Sequence, residues 1–183
     1  MQIYTKDGDA GKSSLLGTKK RILKSKPVFE LLGTADEINA ILGCALSSLK
    51  KSRTVPVLEA TQEDLFMIGA YIAGLKLKKE AAGEWEKKTR YLEDQIDIFQ
   101  RQLPEIKSFI IPGGSEAASQ IHLARVKVRS LERTFVSYIN KGGKKSLRFL
   151  LPYINRLSDL LFVLARYVNM ELSREERLWK PIK

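Results

Sequence analysis

One cysteine and one histidine are all that the 183 residues contain of either type. With Cys44 alone, an internal disulfide and a cysteine zinc cluster are excluded. With His122 alone, a multi-histidine metal site is excluded as well. Only six prolines interrupt the chain, which leaves room for long helices. No apolar run approaches the roughly 18 residues of a membrane span. Residues 1–7 carry no apolar signal core, so a soluble cytoplasmic protein is expected. At this length one domain is expected over residues 1–183.

What is abundant is positive charge. Lysine and arginine total 32 against 21 acids, a formal net charge of +11. Such a balance favours nucleic acid, an acidic membrane surface or a polyphosphate ligand, and it also fits surface lysine of no special purpose. Local clusters fall at Lys19-Lys20-Arg21, Lys76-Leu77-Lys78-Lys79 and residues 141–145. Charge alone therefore names no partner.

Residues 1–27 are rich in Gly, Ser, Asp and Lys and lack apolar periodicity, which reads as a loop. Beyond them the period is helical. A first helix is expected from Phe29 to about Leu49, with Leu31, Ala35, Ile38, Leu42, Ala45 and Leu49 on one stripe. Thr34 and Glu37 match a capping box and offer a later start at Thr34. Pro56 opens a second helix through Leu65, Ile68, Ile72 and Leu75. A third spans about Trp85 to Leu103. Phe109-Ile110-Ile111-Pro112-Gly113-Gly114 is a break that resembles a short strand without a second strand to pair with. Ser115 caps a fourth helix to about Asn140, closed by Gly142-Gly143. A fifth begins at Ser146 or Pro152 and reaches Leu172. Four or five amphipathic helices with short connections make an all-α bundle.

Polar residues lie beside two of the apolar seams. In the fourth helix His122, Arg125, Arg129 and Glu132 recur three, four and three residues apart, next to Ala117, Ile121, Ala124, Val128, Leu131 and Phe135. Arginines there are costly unless they meet an anion, and a salt-bridged face with Arg129 on Glu132 fits the same spacing. In the fifth helix Asn155, Asp159, Phe162 and Arg166 form a similar stripe. Asp159 among leucines calls for an arginine on an adjacent helix, or else lies on an exposed rim. The N-terminal run Thr5-Lys6-Asp7-Gly8-Asp9-Ala10-Gly11-Lys12-Ser13-Ser14 supplies donors for phosphate oxygens. It is not a P-loop, because Lys6 stands where the first glycine is needed.

Four blocks in register carry a resemblance that spans nearly the whole chain. They are residues 3–11, residues 33–39 (Gly-Thr-Ala-Asp-Glu-Ile-Asn), residues 109–115 continuing into His122-Leu123-Ala124-Arg125, and residues 155–162. Together they resemble the ATP:corrinoid adenosyltransferases of the propanediol-utilisation type. The resemblance implies a five-helix up-and-down bundle of ferritin-like kind, assembled as a homotrimer with active sites between subunits. It divides the chain into an ATP-binding loop (1–27), the bundle (28–175) and a tail (176–183). It implies ATP with Mg²⁺ on its phosphates, a cobalamin or other corrinoid as substrate, and a reductase and a B12-dependent enzyme as partners. No nucleic-acid or membrane partner is implied.

By the same resemblance Thr5, Lys6, Gly8, Asp9, Gly11, Lys12, Ser13, Ser14 and Lys24 wrap the ATP phosphates. Arg129, Glu132, Arg133, Asn155 and Asp159 complete the nucleotide contacts. Arg125 pairs with Asp36 across the subunit interface, and Phe109 sits against the lower corrin face. Family members commonly carry threonine at positions 7 and 126 and arginine at 130. Here those positions hold Asp7, Val126 and Ser130, which puts one phosphate contact in doubt while the flanking Arg129 and Arg133 remain.

Overall fold

The computed structural model describes residues 3–49 and 51–180. Five helices make most of it: α1 (Pro27–Ser47), α2 (Val55–Ala73), α3 (Ala81–Gln100), α4 (Glu116–Asn140) and α5 (Leu151–Glu171). A 3-10 turn over Lys145–Leu150 leads into α5. Two short antiparallel ribbons flank the helices. In the first, β1 (Lys12–Ser14) pairs with β2 (Arg21–Leu23); in the second, β3 (Ile110–Ile111) pairs with β4 (Arg177–Leu178).

Helix α4 lies between α1 and α5, with α2 packed on α1 and α3 on α5. The periodicity explains the order. The α4 seam of Ala117, Ile121, Ala124, Val128, Leu131 and Phe135 is buried throughout, as is the α1 stripe from Leu31 to Ala45. In α5 every residue from Val163 to Asn169 is buried, because this helix meets neighbours on two sides. Each large apolar side chain so enclosed contributes about 1.5–3 kcal/mol. That burial, far more than helix propensity, holds the bundle together. A buried carboxylate ties α2 to the far side: Asp64 accepts from Tyr153 of α5 and from Lys88 of α3.

Several boundaries differ from the sequence reading. Helix α1 starts at Pro27, where the fixed proline φ suits a first turn, rather than at Phe29 or Thr34. Thr34 is interior, and its hydroxyl donates to the Glu30 carbonyl at 2.9 Å. The capping-box match is therefore a coincidence of spacing. Helix α2 ends at Ala73, and Gly74 (φ 121°) turns the chain so that Leu75 N–H reaches back to Ala70 O at 2.8 Å. Helix α3 begins four residues before Trp85 and ends at Gln100.

Two corrections concern strands. The N-terminal segment, read as loop, contains the β1–β2 hairpin, with Ser13 opposite Ile22. The Ile110–Ile111 break does have a partner. It pairs with Arg177–Leu178 at a register of Ile110 opposite Leu178, within the segment read as a tail. Two exposed residues so far along the chain carry no alternation that would announce a strand.

Candidate functional site

The N-terminal segment is built around carbonyls held by basic side chains. Lys6 adopts a positive φ of 60°, which turns the chain so that Asp9 N–H bonds Lys6 O and Gly11 N–H bonds Gly8 O. Gly11 (φ 69°) then delivers the chain into β1, and its carbonyl accepts from Lys24 N–H at 2.9 Å. The Lys24 ammonium returns to Gly8 O at 3.2 Å, and a Cβ at Gly8 would lie 3.0 Å from that nitrogen. Arg21 donates to the carbonyls of Asp7 and Lys12. Lys6, Gly8, Lys12, Ser13 and Lys24 thus share one small hairpin, with Thr5 accepting from Asp7 N–H and Ser14 opposite Arg21. Arg21 was not singled out by sequence; its only signal was membership of a basic cluster.

On α4 the stripe forms as spaced. Arg125 is half-buried, while Arg129 and Arg133 are exposed on successive turns. Among the described residues none of the three pairs with a carboxylate. Arg125 leans over the Phe162 ring at 6.0 Å, and its buried Nε has no hydrogen-bond partner among the described residues. Burial, and then the charge of Arg129, lower its pKa from the ordinary value. His122 lies one turn earlier, 3% exposed and 6.2 Å from the same ring. Burial chiefly, with Arg125 adding to it and Glu176 opposing, presses the imidazole pKa down to about 4. The ring is therefore neutral near pH 7.

Glu132 does not pair with Arg129. It accepts from the Asn155 amide of α5 at 2.9 Å, so two of the expected nucleotide contacts meet each other. Asp159 has no partner on an adjacent helix. It lies on an exposed rim and bonds Arg156 of its own helix at 2.8 Å, while Arg156 also reaches Glu93 of α3. Its leucine neighbours in sequence point to other faces of α5, which a linear reading cannot separate.

Asp36 is exposed on α1, and within one chain it does not meet Arg125. It borders a groove of about 370 Å³ between α1 and α2, lined by Leu16, Leu32, Leu65, Phe66 and Ala70. Phe66 is 71% exposed. Phe109, 77% exposed, stands at the entrance to β3 with its ring edge-on to Trp179 at 6.1 Å. Trp179 N–H donates to Phe109 O at 2.7 Å. Trp179 was not anticipated, since its neighbourhood depends on the β3–β4 pairing.

A helical bundle whose arginine stripe has no carboxylate partner among the described residues, beside a neutral buried histidine and a glycine-bearing basic hairpin, offers positive charge to an anion without a P-loop. The family model for cobalamin adenosyltransferase matches residues 3–168, and the chain belongs to that family. It is 37% identical over 173 residues to the corrinoid adenosyltransferase of Bacillus subtilis, covering 92% of this chain and 87% of that protein. It is 38% identical over 168 residues to corrinoid adenosyltransferase PduO of Citrobacter freundii, and spans about half (49%) of that longer relative. Among solved structures, a variant PduO-type ATP:corrinoid adenosyltransferase from Lactobacillus reuteri, complexed with cobalamin and ATP, superposes with a TM-score of 0.85. That pair is 32% identical, over 98% of this chain and 97% of the other.

Proposed function

We propose that the chain transfers the 5′-deoxyadenosyl group of ATP to the cobalt of cob(I)alamin or a related corrinoid, releasing triphosphate. The observation that carries this reading is the stripe of Arg125, Arg129 and Arg133, whose guanidinium groups lack carboxylate partners within the described chain. Its relatives' names, and a structural neighbour complexed with both substrates, supply the chemistry.

In the reaction Co(I) donates an electron pair to C5′ of ATP, a Co–C bond forms, and the C5′–O bond breaks with its electrons leaving on triphosphate. Co(I) is itself a strong nucleophile, so the protein's task is positioning and charge stabilisation. Lys6, Lys12, Lys24 and Arg129 stabilise the charge that gathers on triphosphate. Thr5, Gly8, Gly11, Ser13 and Ser14 supply backbone and hydroxyl donors in the same hairpin, and Glu132 with Asn155 holds the nucleoside end. Mg²⁺ bound to the phosphates would supply further charge neutralisation; the exposed carboxylates of Asp7 and Asp9 fit a cation held mainly by phosphate and water.

Arg125 orients the corrinoid by pairing with Asp36 of a neighbouring copy in a homotrimer. The exposed Phe66 and its apolar groove support such an interface. The exposed ring of Phe109 covers the lower corrin face and keeps water and the axial base away, which makes Co(II) easier to reduce. On this reading residues 1–27 form the ATP loop and 28–175 the bundle, and the partners are a reductase and a B12-dependent enzyme.

The test is a turnover assay with ATP, Mg²⁺ and chemically reduced cobalamin, followed by loss of the Co(I) absorbance in dim light. ATP-dependent formation of adenosylcobalamin and triphosphate is expected. No product, from folded protein with Co(I) present, overturns the proposal.

A further inference from the structure

Helix α5 carries two buried polar side chains, one turn apart, that play no part in the proposed chemistry. Arg166 is 3% exposed and Asn169 is 2% exposed. Arg166 Nε donates to Glu176 Oε1 at 2.8 Å and Nη2 donates to Oε2 at 3.1 Å, a two-pronged ion pair. The same Nη2 donates to Pro104 O at 2.9 Å. Asn169 Nδ2 donates to Gly113 O at 2.9 Å, and its Oδ1 accepts from Ser115 N–H at 2.9 Å and from the Ser115 hydroxyl at 3.2 Å.

These bonds share one object. Pro104 and Gly113 bracket the segment that carries Phe109, and Glu176 leads directly into β4, which pairs with β3 and bonds the Phe109 carbonyl through Trp179. The Ser108 hydroxyl closes the far end on Trp179 O at 2.8 Å. Behind the ribbon lies a cavity of about 440 Å³, lined by Ile106, Ile110, Met170 and Leu178 along with Arg166 and Glu176. Packing on that side is incomplete, so the polar ties carry more of the ribbon's placement. Gly114 (φ 109°) lets the turn come down onto Asn169, since a Cβ there would lie 2.2 Å from Oδ1.

We infer that Arg166 and Asn169 are positioning residues that hold the Phe109 segment from both ends, with Glu176 as the removable half of the latch. This rests on the proposed corrinoid reaction, in which Phe109 is the group that must be placed. A guanidinium so deeply buried cannot lose its carboxylate without the ribbon loosening. Misplacing a positioned group by about 1 Å can cost on the order of a hundredfold in rate.

The experiment uses the full chain in a Trp85→Phe background, which leaves Trp179 as the sole tryptophan. Glu176→Gln keeps the side-chain shape and removes the charge; Asn169→Asp keeps the acceptor for Ser115 and removes the donor to Gly113. Two readouts are made on each: Trp179 emission with tryptic cleavage at Arg174 and Arg177, and the KM values for cob(I)alamin and ATP. The expected result is a red-shifted emission, faster cleavage, a KM for cob(I)alamin raised about tenfold and a KM for ATP within about twofold. Unchanged emission and cleavage overturn the latch. Loosened emission with both KM values unchanged overturns its role in placing Phe109. An equal rise in both KM values also overturns it, by showing a general structural loss. If the parent protein shows no turnover, the reaction assignment fails, while emission and cleavage still decide whether the latch exists.

Discussion

Tyr153 donates its phenolic hydrogen to Asp64 at 2.8 Å, and the other oxygen of that carboxylate takes the Lys88 ammonium. Tyr153 has no exposed surface and its ring meets Trp85 edge-on at 4.8 Å. Burial, reinforced by the charge on Asp64, holds the phenol well above its ordinary pKa, so it remains a donor throughout the neutral range. Three helices, α2, α3 and α5, therefore converge on one carboxylate that faces no solvent-filled site.

Removing that donor tests stability apart from function. Tyr153→Phe preserves the packing and strips one bond from a buried acceptor, at an expected cost of about 1–2 kcal/mol. For a chain of this size that lowers Tm by about 2–8 °C, measurable by circular dichroism, with nucleotide affinity unchanged. An unaltered Tm would show that Lys88 alone satisfies Asp64.

His122 makes a pH prediction. Its folded pKa, about 4, lies below the ordinary 6.5, so between these values the unfolded chain binds more protons than the native one. Stability therefore rises with pH across this window and this contribution is flat above it. Burial is the main cause; Arg125 adds to it by disfavouring the imidazolium, and Glu176 opposes it. Urea unfolding at pH 7 and pH 4.5 compares wild type with His122→Gln. The wild type should lose roughly 2–3 kcal/mol more on acidification. Equal losses would place the acid sensitivity elsewhere.

Arg125 and Asp36 make no ion pair among the described residues, and the proposed trimer brings them together. Each substitution to alanine should strand the other charge, so the double variant should lose much less than the sum of the singles. A double-mutant cycle on kcat/KM for cob(I)alamin measures this. Additive losses would remove the pair from the site.

Phe109→Ala should impair turnover that starts from cob(II)alamin and a reductant more than it impairs ATP affinity, because the ring stands against Trp179 on a ribbon separate from the N-terminal hairpin. Parallel nucleotide-binding and turnover measurements decide it. Equal losses in both would mean that the ring serves the fold instead.

The parts legible in the sequence were those governed by local periodicity. The seams of α4 and α5, the Ser115 cap and the Pro56 start all express rules that act over one or two turns. Ser115 does accept from Ala118 N–H as a cap should. The arginine stripe was legible for the same reason. What stayed hidden depends on contacts between remote segments: the β3–β4 pairing, the bond between Asn155 and Glu132, and the burial of Arg166 and Asn169. Thr34 shows the opposite failure, where a short motif matched while Pro27, seven residues earlier, had already begun the helix. Of the two alternatives for Asp159 the structure takes the exposed rim, because apolar neighbours in sequence are not neighbours on a helix.

Arg166 and Asn169 face the same way only because they lie three positions apart on α5, a little under one full turn. Inserting or deleting a single residue between them would rotate one by about 100° relative to the other. The α5 interval 166–169 should therefore admit point changes in lineages of this family but no change of length. Residues 105–107, between the Pro104 and Ser108 ties, are under no helical register constraint, and there insertions should be tolerated. Across related chains, gaps should crowd into that connection and stop abruptly at the helix.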